Sequence, residues 1–137
     1  MGTIGYSGTP LAKKLGIKAG YTVVLFNEPK HYLGLFADMP EVMYVAGNEP
    51  ESVDFIHLFC TTKADFERQS LEVKPALKMT GMLWVSWPKG SSKIETDLGR
   101  DYIRTYLLDN GLVDVKVCAV DKDWSGLKFM YRIKDRK

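Results

Sequence analysis

The sequence predicts an α/β protein with three layers, in which helices cover both faces of a mostly parallel sheet of about six strands and an antiparallel hairpin closes the chain. Residues 82–87 form an almost unbroken apolar run, which is typical of a strand buried on both faces. Residues 127–134 instead alternate apolar and basic side chains, as an antiparallel strand with one wet face does. These patterns predict one layered domain over residues 1–137.

Composition narrows the classes of partner. The chain has 19 basic and 17 acidic residues, and this balance does not favour nucleic acid or a membrane surface. No apolar run approaches the roughly 20 residues of a membrane span, and the polar, glycine-rich start does not resemble a signal peptide. We therefore expect a cytoplasmic protein whose partner is an unknown small molecule or protein.

The two cysteines lie inside apolar runs. Cys60 and Cys118 are expected to be buried free thiols of a reducing compartment, and a disulfide between neighbouring strands is the alternative.

Capping and turn residues divide the first half of the chain. Thr9-Pro10 opens a helix that Gly16 ends. A short helix is expected over residues 31–37. The first three strands are expected at residues 21–26, 42–46 and 54–60. The segment between the second and third strands is too short for a crossover helix, so it either crosses one strand as a loop or leads into an antiparallel pairing.

The second half is divided in the same way. Thr62 caps a helix, with Asp65 completing part of a capping box, and Pro75 kinks or restarts that helix. Gly81 is interpreted as a turn before the fourth strand. Asp97 is expected to cap the last helix, which runs to Asn110. The remaining elements are a strand at 112–120, a turn at 121–126 and a strand at 127–134.

Two segments resemble class I methyltransferases. Residues 77–85, Leu-Lys-Met-Thr-Gly-Met-Leu-Trp-Val, are similar to the segment that leads into the fifth strand of those enzymes, and the hairpin around residues 123–126, Asp-Trp-Ser-Gly, is similar to their closing hairpin. The resemblance implies a Rossmann-like, methyltransferase-like domain with strand order 2-1-3-4-6-5, in which strand six is antiparallel. It also implies S-adenosylmethionine as the cofactor to be considered.

Nearly the whole chain also resembles a family of small bacterial proteins known only as a domain of unknown function. The segments that carry this resemblance are residues 5–16, 86–89, 96–98, 111–114, 116–121 and 124–127. The resemblance implies no activity.

The chain departs from the methyltransferase pattern in three places. Residues 26–30, Phe-Asn-Glu-Pro-Lys, replace the glycine-rich turn that lets a backbone approach S-adenosylmethionine. Ala46-Gly47-Asn48 stands where an acid holds the ribose, with Glu49 one step late. A strand–helix unit is missing between strands two and three, so the fold is truncated. We expect no cofactor, and S-adenosylmethionine binding is the alternative.

Polar and aromatic residues are expected along the carboxyl edge of the sheet, where ligands bind in open parallel sheets. Trp87 and Trp124 would wall a crevice, or both indoles would simply close the core. The candidate crevice residues are Asn27, Glu28, Thr61, Trp87, Lys89, Trp124 and Ser125. Ser7, Gly8 and Thr9 precede a helix and are a weak candidate for anion binding, against an ordinary capped terminus.

No catalytic constellation is complete. His57 and Cys60 lie three apart on a strand and so point to opposite faces, which argues against a metal site. His57 is instead expected to be a hydrogen-bonded core residue. Ser86 lies within a buried strand and lacks a nucleophile elbow. Cys60 is either a structural thiol or one activated by the following helix.

The sequence thus favours a non-catalytic module that binds a ligand or protein partner on a degenerate methyltransferase-like fold. The alternative is a group-transfer enzyme that binds S-adenosylmethionine or a nucleotide, with Glu28 as its base.

Overall fold

The computed structural model describes residues 10–136 and contains one six-stranded sheet of order β2-β1-β3-β4-β6-β5. This is the strand order expected from the sequence. The strands are β1 (Thr22–Phe26), β2 (Met43–Tyr44), β3 (Val53–Phe59), β4 (Leu77–Pro88), β5 (Leu112–Ala119) and β6 (Trp124–Tyr131). The order confirms the methyltransferase-like topology.

Helices cover both faces of the sheet, which confirms the three-layer prediction. The α-helices are α1 (Leu11–Leu15), α2 (Lys63–Val73) and α3 (Arg100–Asp109), and 3-10 turns span Tyr32–Leu35, Lys74–Ala76 and Ile133–Asp135. Side chains of α2 and α3 pack on one face of the sheet, which we call the α2/α3 face. Side chains of α1 and the first 3-10 turn pack on the other, the α1 face. None of the described helices is long and apolar enough to cross a membrane.

The strand directions show how the short segment between β2 and β3 runs. β1 pairs in parallel with both β2 and β3, and β3 pairs in parallel with β4. Residues 45–52 therefore cross β1 as a loop, and the antiparallel alternative is wrong. β6 lies antiparallel between β4 and β5, as expected. Its alternating pattern does not mark an edge position, because Leu127 and Phe129 are buried on an interior strand.

β4 begins earlier than the sequence suggested. Leu77 already pairs with Val53, and the next register pair joins Met82 to Phe55, so β4 bulges over residues 78–81. Gly81 lies in this bulge and not in a turn. A Cβ there would come within 2.9 Å of the carbonyl oxygen of Val53, so the bulge requires glycine.

The buried run of β4 anchors α1. Trp84 is fully buried, and its indole N–H donates to the carbonyl oxygen of Leu15 at 2.8 Å. Gly16 ends α1 in the left-handed conformation at φ 88°, as expected. Thr9, the expected cap of this helix, and the candidate anion site at Ser7, Gly8 and Thr9 lie outside the described residues.

Two expected boundaries near the carboxyl edge are wrong. Gly99, not Asp97, occupies the N-cap position of α3. The hairpin turn is also shorter than expected, because Trp124 already belongs to β6. The carboxylate of Asp121 accepts hydrogen bonds from the backbone N–H groups of Asp123 and Trp124, and this side-chain turn brings the chain around within three residues.

Candidate functional site

The carboxyl edge of the sheet gathers most of the expected site residues. β1, β3 and β4 end there, so Asn27, Thr61 and Lys89 follow strand ends along one edge. The antiparallel β6 begins at the same edge and brings Trp124 and Ser125 to it. The structure therefore brings the backbone of these segments to one edge of the sheet. Their side chains, however, do not all face one space.

Asn27 bridges the point where the sheet order reverses. β1 and β3 are neighbours there, and ligands of open parallel sheets bind in the crevice between two such strands. The side-chain amide of Asn27 donates to the carbonyl oxygen of Phe59 at 3.2 Å and to Oε1 of Gln69 at 2.7 Å. Gln69 is a buried residue of α2. The side chain of Asn27 thus connects the end of β3 to α2 across the crevice.

The backbone at Asn27 explains how this bridge forms without glycine. Asn27 has φ 62°, the left-handed conformation that Asn tolerates better than most residues. Glu28 follows as an exposed residue, and its negative charge, after burial, helps to raise the pKa of Tyr32 and Tyr44. Glu28 therefore lies close enough to Tyr32 and Tyr44 for its charge to act on both.

The N-terminus of α2, next to the crevice, is already capped. Thr62 accepts a hydrogen bond from the backbone N–H of Asp65, as expected from the sequence. Asp97, from the loop after β4, accepts one from the N–H of Lys63 at 2.7 Å. The hydroxyl of Thr96 donates to the carbonyl oxygen of Thr61 at 2.7 Å. The β4–α3 loop thus supplies the negative charge that an anion would bring to this helix end.

Trp87 and Trp124 lie on opposite faces of the sheet. Trp87 belongs to the core of the α2/α3 face, whereas Trp124 belongs to the α1 face and packs edge-to-face on Phe59 at 5.0 Å between ring centroids. The β4–β6 register pairs Trp87 with Ser125 and Pro88 with Trp124, so Ser125 shares the face of Trp87. Trp87 and Trp124 therefore do not wall one crevice.

A groove of about 490 Å³ opens beside Trp87 on the α2/α3 face. Trp87 is 8% exposed, so only its edge reaches this groove. The groove residues are Trp87, Gly99, Arg100, Asp101, Tyr102, Val117 and Ser125. Apolar walls with a few polar groups are typical of small-molecule sites. We call this space the Trp87 groove.

Tyr102 forms one wall of the groove and is held in place by two neighbours. Its hydroxyl donates to the carboxylate of Glu67, a hydrogen bond that raises the pKa of Tyr102. The ammonium group of Lys63 lies 4.6 Å from the centre of its ring. The sequence did not predict Tyr102 and Arg100 as edge residues, because the expected N-cap of α3, Asp97, lies two residues before the observed one, Gly99. Glycine is also a common N-cap residue, and an N-cap at Gly99 would have put Arg100 and Tyr102 in the first turn of α3, at the edge of the sheet.

Lys89 and the hairpin turn form the remaining part of the edge. The backbone N–H of Lys89 donates to the carbonyl oxygen of Asp123 at 2.8 Å, which ties the end of β4 to the turn. Asp121 of the same turn pairs with His31 at 2.9 Å. Lys89 itself is half-buried at the edge of the sheet.

The buried polar residues of the central strands satisfy one another. His57 has ring nitrogens 2.9 Å from the hydroxyl of Tyr32 and 2.8 Å from that of Ser86. Burial lowers the pKa of His57 to about 3, so the ring is neutral at ordinary pH. The expectation of a hydrogen-bonded core histidine is confirmed. Ser86 is fully buried within the same group, away from any site.

Cys60 is a structural thiol. Burial, with the charge of Asp65, raises its pKa to about 12, while Arg68 acts in the opposite direction. The following helix therefore does not activate it. Both Cys60 and Cys118 are free, so the disulfide alternative is wrong. Within residues 10–136, no group of His, Cys, Asp and Glu side chains could hold a metal ion.

A second depression, of about 280 Å³, lies between the β2–β3 loop and the end of α2. It occupies the region where the sequence indicated a missing strand–helix unit. The backbone of Gly47 packs closely on Val24. A Cβ at position 47 would lie only 3.1 Å from the Val24 side chain. Glu49 lines this depression as an exposed residue.

Comparison with known proteins supports the fold. No family model and no curated protein match the chain. Among solved structures, a SAM-dependent methyltransferase from Aquifex aeolicus is 21% identical with a TM-score of 0.53, and 89% of this chain covers 88% of that one. A TehB-like SAM-dependent methyltransferase from Corynebacterium glutamicum is 11% identical with a TM-score of 0.58, over 89% and 85% of the two chains.

A third similar structure contains two bound ligands. It is 1,6-didemethyltoxoflavin-N1-methyltransferase from Burkholderia thailandensis with bound 1,6-didemethyltoxoflavin and S-adenosylhomocysteine, 11% identical with a TM-score of 0.55 over 88% and 74% of the two chains. At these identities the similarity concerns the fold. The chain has a methyltransferase-like Rossmann fold. Its resemblance to the small bacterial family stays an expectation.

Proposed function

We propose that this protein is a ligand-binding module on a methyltransferase-like fold and that it acts without transferring methyl groups. The observation that carries the proposal is the bridge from Asn27 to Gln69 and to the carbonyl of Phe59, across the crevice between β1 and β3. That crevice is where an open parallel sheet of this order places its ligand. Here it is spanned by a side chain of the protein itself.

The turn after β1 does not fit S-adenosylmethionine. A cofactor that lies against this turn needs backbone N–H groups without side chains in front of them. Residues 27–29 include no glycine, and Pro29 lacks an N–H altogether. Both described hydrogen bonds of the Asn27 amide point toward β3 and α2.

The Trp87 groove is the proposed ligand site. The edge of Trp87, the ring of Tyr102 and the side chain of Val117 offer apolar walls, and the hydroxyl of Ser125 offers a polar contact. Arg100 and the first N–H groups of α3 favour negative charge, since no side chain caps this helix end. Asp101, which is exposed and lies 3.8 Å from the guanidinium group of Arg100, disfavours negative charge in the groove. The groove therefore suits a planar apolar body with one acidic group, such as an aromatic carboxylate.

An enzyme that binds S-adenosylmethionine or a nucleotide is the second candidate. The solved methyltransferase structures favour it, because their fold is similar to that of this chain. Glu28 is exposed after β1 and is the acid that could contact a cationic ligand there. This candidate requires the Asn27 bridge to open.

Calorimetric titration with S-adenosylmethionine and S-adenosylhomocysteine separates the two candidates. We expect the unmodified protein to show no affinity tighter than about 100 μM. Asn27→Gly keeps the left-handed backbone and removes the bridge, and Gln69→Ala removes its other end, so these variants show whether the bridge excludes the cofactor. A Kd near about 10 μM for the unmodified protein would overturn the proposal and favour the enzyme.

Ligand-observed and amide NMR test the groove directly. A set of small aromatic carboxylates is expected to shift the amide signals of residues 99–102 and the indole signal of Trp87. Arg100→Gln should weaken these shifts, because it removes the cation of the groove. Arg104→Gln is the matched control, since Arg104 lies on the same helix outside the groove, where it pairs with Asp114 at 3.1 Å. If the carboxylates do not shift the amide signals of residues 99–102, or shift them equally in Arg100→Gln, the Trp87 groove is not the ligand site.

A further inference from the structure

Three lysines converge on the α1 face, away from the Trp87 groove. Lys116 of β5 and Lys128 of β6 are direct cross-strand partners, so their side chains leave the same face of the sheet side by side. Two like charges in this arrangement repel each other and destabilise the pairing. The chain therefore maintains an unfavourable contact at this point of an interior strand.

Both ammonium groups lie at the C-terminal end of α1. Lys116 Nζ donates to the carbonyl oxygen of Lys14 at 2.9 Å. Lys128 Nζ lies 3.8 Å from the position that a Cβ would take at Gly16. Lys14 itself lies in the last turn of the helix and is only partly exposed. Lys14, Lys116 and Lys128, which we call the lysine cluster, thus surround one helix end.

Carboxylates do not neutralise the lysine cluster. Within residues 10–136, the ion pairs join other basic residues to the acids, and none involves a cluster lysine. Burial and then the charge of Lys116 lower the pKa of Lys128. Burial raises the pKa of the neighbouring Cys118, while Lys14, Lys116 and Lys89 lower it. The positive field of the cluster thus extends toward Cys118.

Capping α1 does not account for all of this charge. Lysines near a helix C-terminus satisfy carbonyl oxygens and offset at most about half an elementary charge, and α1 has only five residues. The carbonyl of Leu15 is already paired with Trp84, and those of Ala12 and Lys13 with the backbone N–H groups that follow. One lysine on the carbonyl of Lys14 would complete the cap. The cluster contains two more cations than this cap requires.

We propose that Lys14, Lys116 and Lys128 form a binding site for the phosphate group of a small molecule. Two ammonium groups at one helix end, with Lys14 in the last turn of that helix, match a compact oxyanion with two or more negative charges, whereas a single carboxylate brings one. A nucleic acid backbone would call for a longer basic stripe, and the near-balanced charge of the chain does not supply one. This site goes beyond the proposed ligand groove and lies on the opposite face of the sheet.

Inorganic pyrophosphate is the probe, measured by thermal unfolding and amide NMR at low ionic strength, with sodium chloride of equal ionic strength as the reference. Pyrophosphate at about 1 mM is expected to raise the Tm and to shift the amides of Gly16 and Cys118. Lys128→Gln should raise the Kd by about tenfold, the effect of one charge-assisted hydrogen bond. Lys134→Gln makes the same charge change in the last 3-10 turn and should bind normally.

The variants also separate binding from capping. We expect Lys128→Gln to increase stability without ligand, since it relieves the repulsion with Lys116, and to lose the pyrophosphate-induced rise in Tm. If Lys128→Gln lowers stability and leaves that rise unchanged, the lysines only cap α1 and the proposal fails. A short single-stranded oligonucleotide that binds more tightly than pyrophosphate would likewise overturn the small-molecule site.

Discussion

The side-chain amide of Asn27 donates to Oε1 of Gln69 at 2.7 Å and thereby joins the turn after β1 to the helix after β3. The two residues are far apart in sequence, and the bond spans the crevice of the sheet. It holds Asn27 in a left-handed conformation at φ 62°. The same contact therefore contributes to both the shape of the turn and the closure of the crevice.

We predict that Asn27→Gly and Asn27→Ala both destabilise the protein, and that alanine is worse. Glycine keeps the positive φ at little cost but loses the two hydrogen bonds, which amounts to about 1–2 kcal/mol. Alanine loses the same bonds and adds roughly 1 kcal/mol of backbone strain. Urea unfolding of the two variants measures the difference. A more stable alanine variant would show that the left-handed turn is not maintained.

A second prediction concerns Trp84, whose indole N–H donates to the carbonyl of Leu15. Trp84→Ala should lower the free energy of unfolding by roughly 3–5 kcal/mol, as expected for a fully buried aromatic residue. Trp84→Phe keeps most of the ring but leaves the buried carbonyl unpaired, at about 1–3 kcal/mol. Trp124→Phe is the control in the other strand of the pair. A loss under about 1 kcal/mol for Trp84→Ala would mean that β4 is not covered on both faces.

The sheet order was predictable because it depends on features that a sequence displays. Runs that are apolar at every position indicate strands covered on both faces, and the resemblance in residues 77–85 and 123–126 supplied their order. The bulge at Gly81 was not predictable in the same way. Glycine favours a turn and a close backbone contact alike, and only the carbonyl of Val53 opposite decides between them.

The faces of the two tryptophans depended on one detail of the hairpin. Side chains alternate along a strand, so a shift of one residue in the register moves every side chain to the other face. The carboxylate of Asp121 shortens the turn, which pairs Ser125, and not Trp124, with Trp87. The contact between Gln69 and Asn27 could not be predicted from the sequence either, because it depends on how α2 packs across the sheet.

A third prediction follows from the buried imidazole of His57, whose pKa burial lowers to about 3. Above about pH 6.5 the ring is neutral in both the folded and unfolded states, so His57 does not make the free energy of unfolding depend on pH there. Below that pH the unfolded chain takes up a proton that the folded ring refuses. Stability should therefore fall by about 1.4 kcal/mol per pH unit from this group, from near pH 6.5 down toward pH 3.

NMR of the two histidine rings tests this prediction directly. The signals of His57 are expected to stay those of a neutral ring down to pH 5, while His31 is exposed and serves as the internal comparison. His31→Gln removes one of the two sets of ring signals and thereby assigns the other to His57. A titration midpoint of His57 above pH 5 would contradict the assignment of burial as the dominant cause.

The last prediction concerns Asp97, which accepts from the backbone N–H of Lys63 at 2.7 Å. Its carboxylate lies at the N-terminus of α2, where negative charge is stabilised by the unpaired N–H groups and the helix dipole. Asp97→Ala should lower stability by about 1 kcal/mol, and Asp97→Asn by less, because the amide oxygen still accepts the hydrogen bond. Glu95→Ala, an exposed carboxylate of the same loop, is the control and should change stability by less than about 0.5 kcal/mol. Because Thr62 caps the same helix end through Asp65, the losses in the double variant Thr62→Ala, Asp97→Ala should not simply add. Equal effects of Asp97→Ala and Glu95→Ala in urea unfolding would show that the β4–α3 loop does not cap α2.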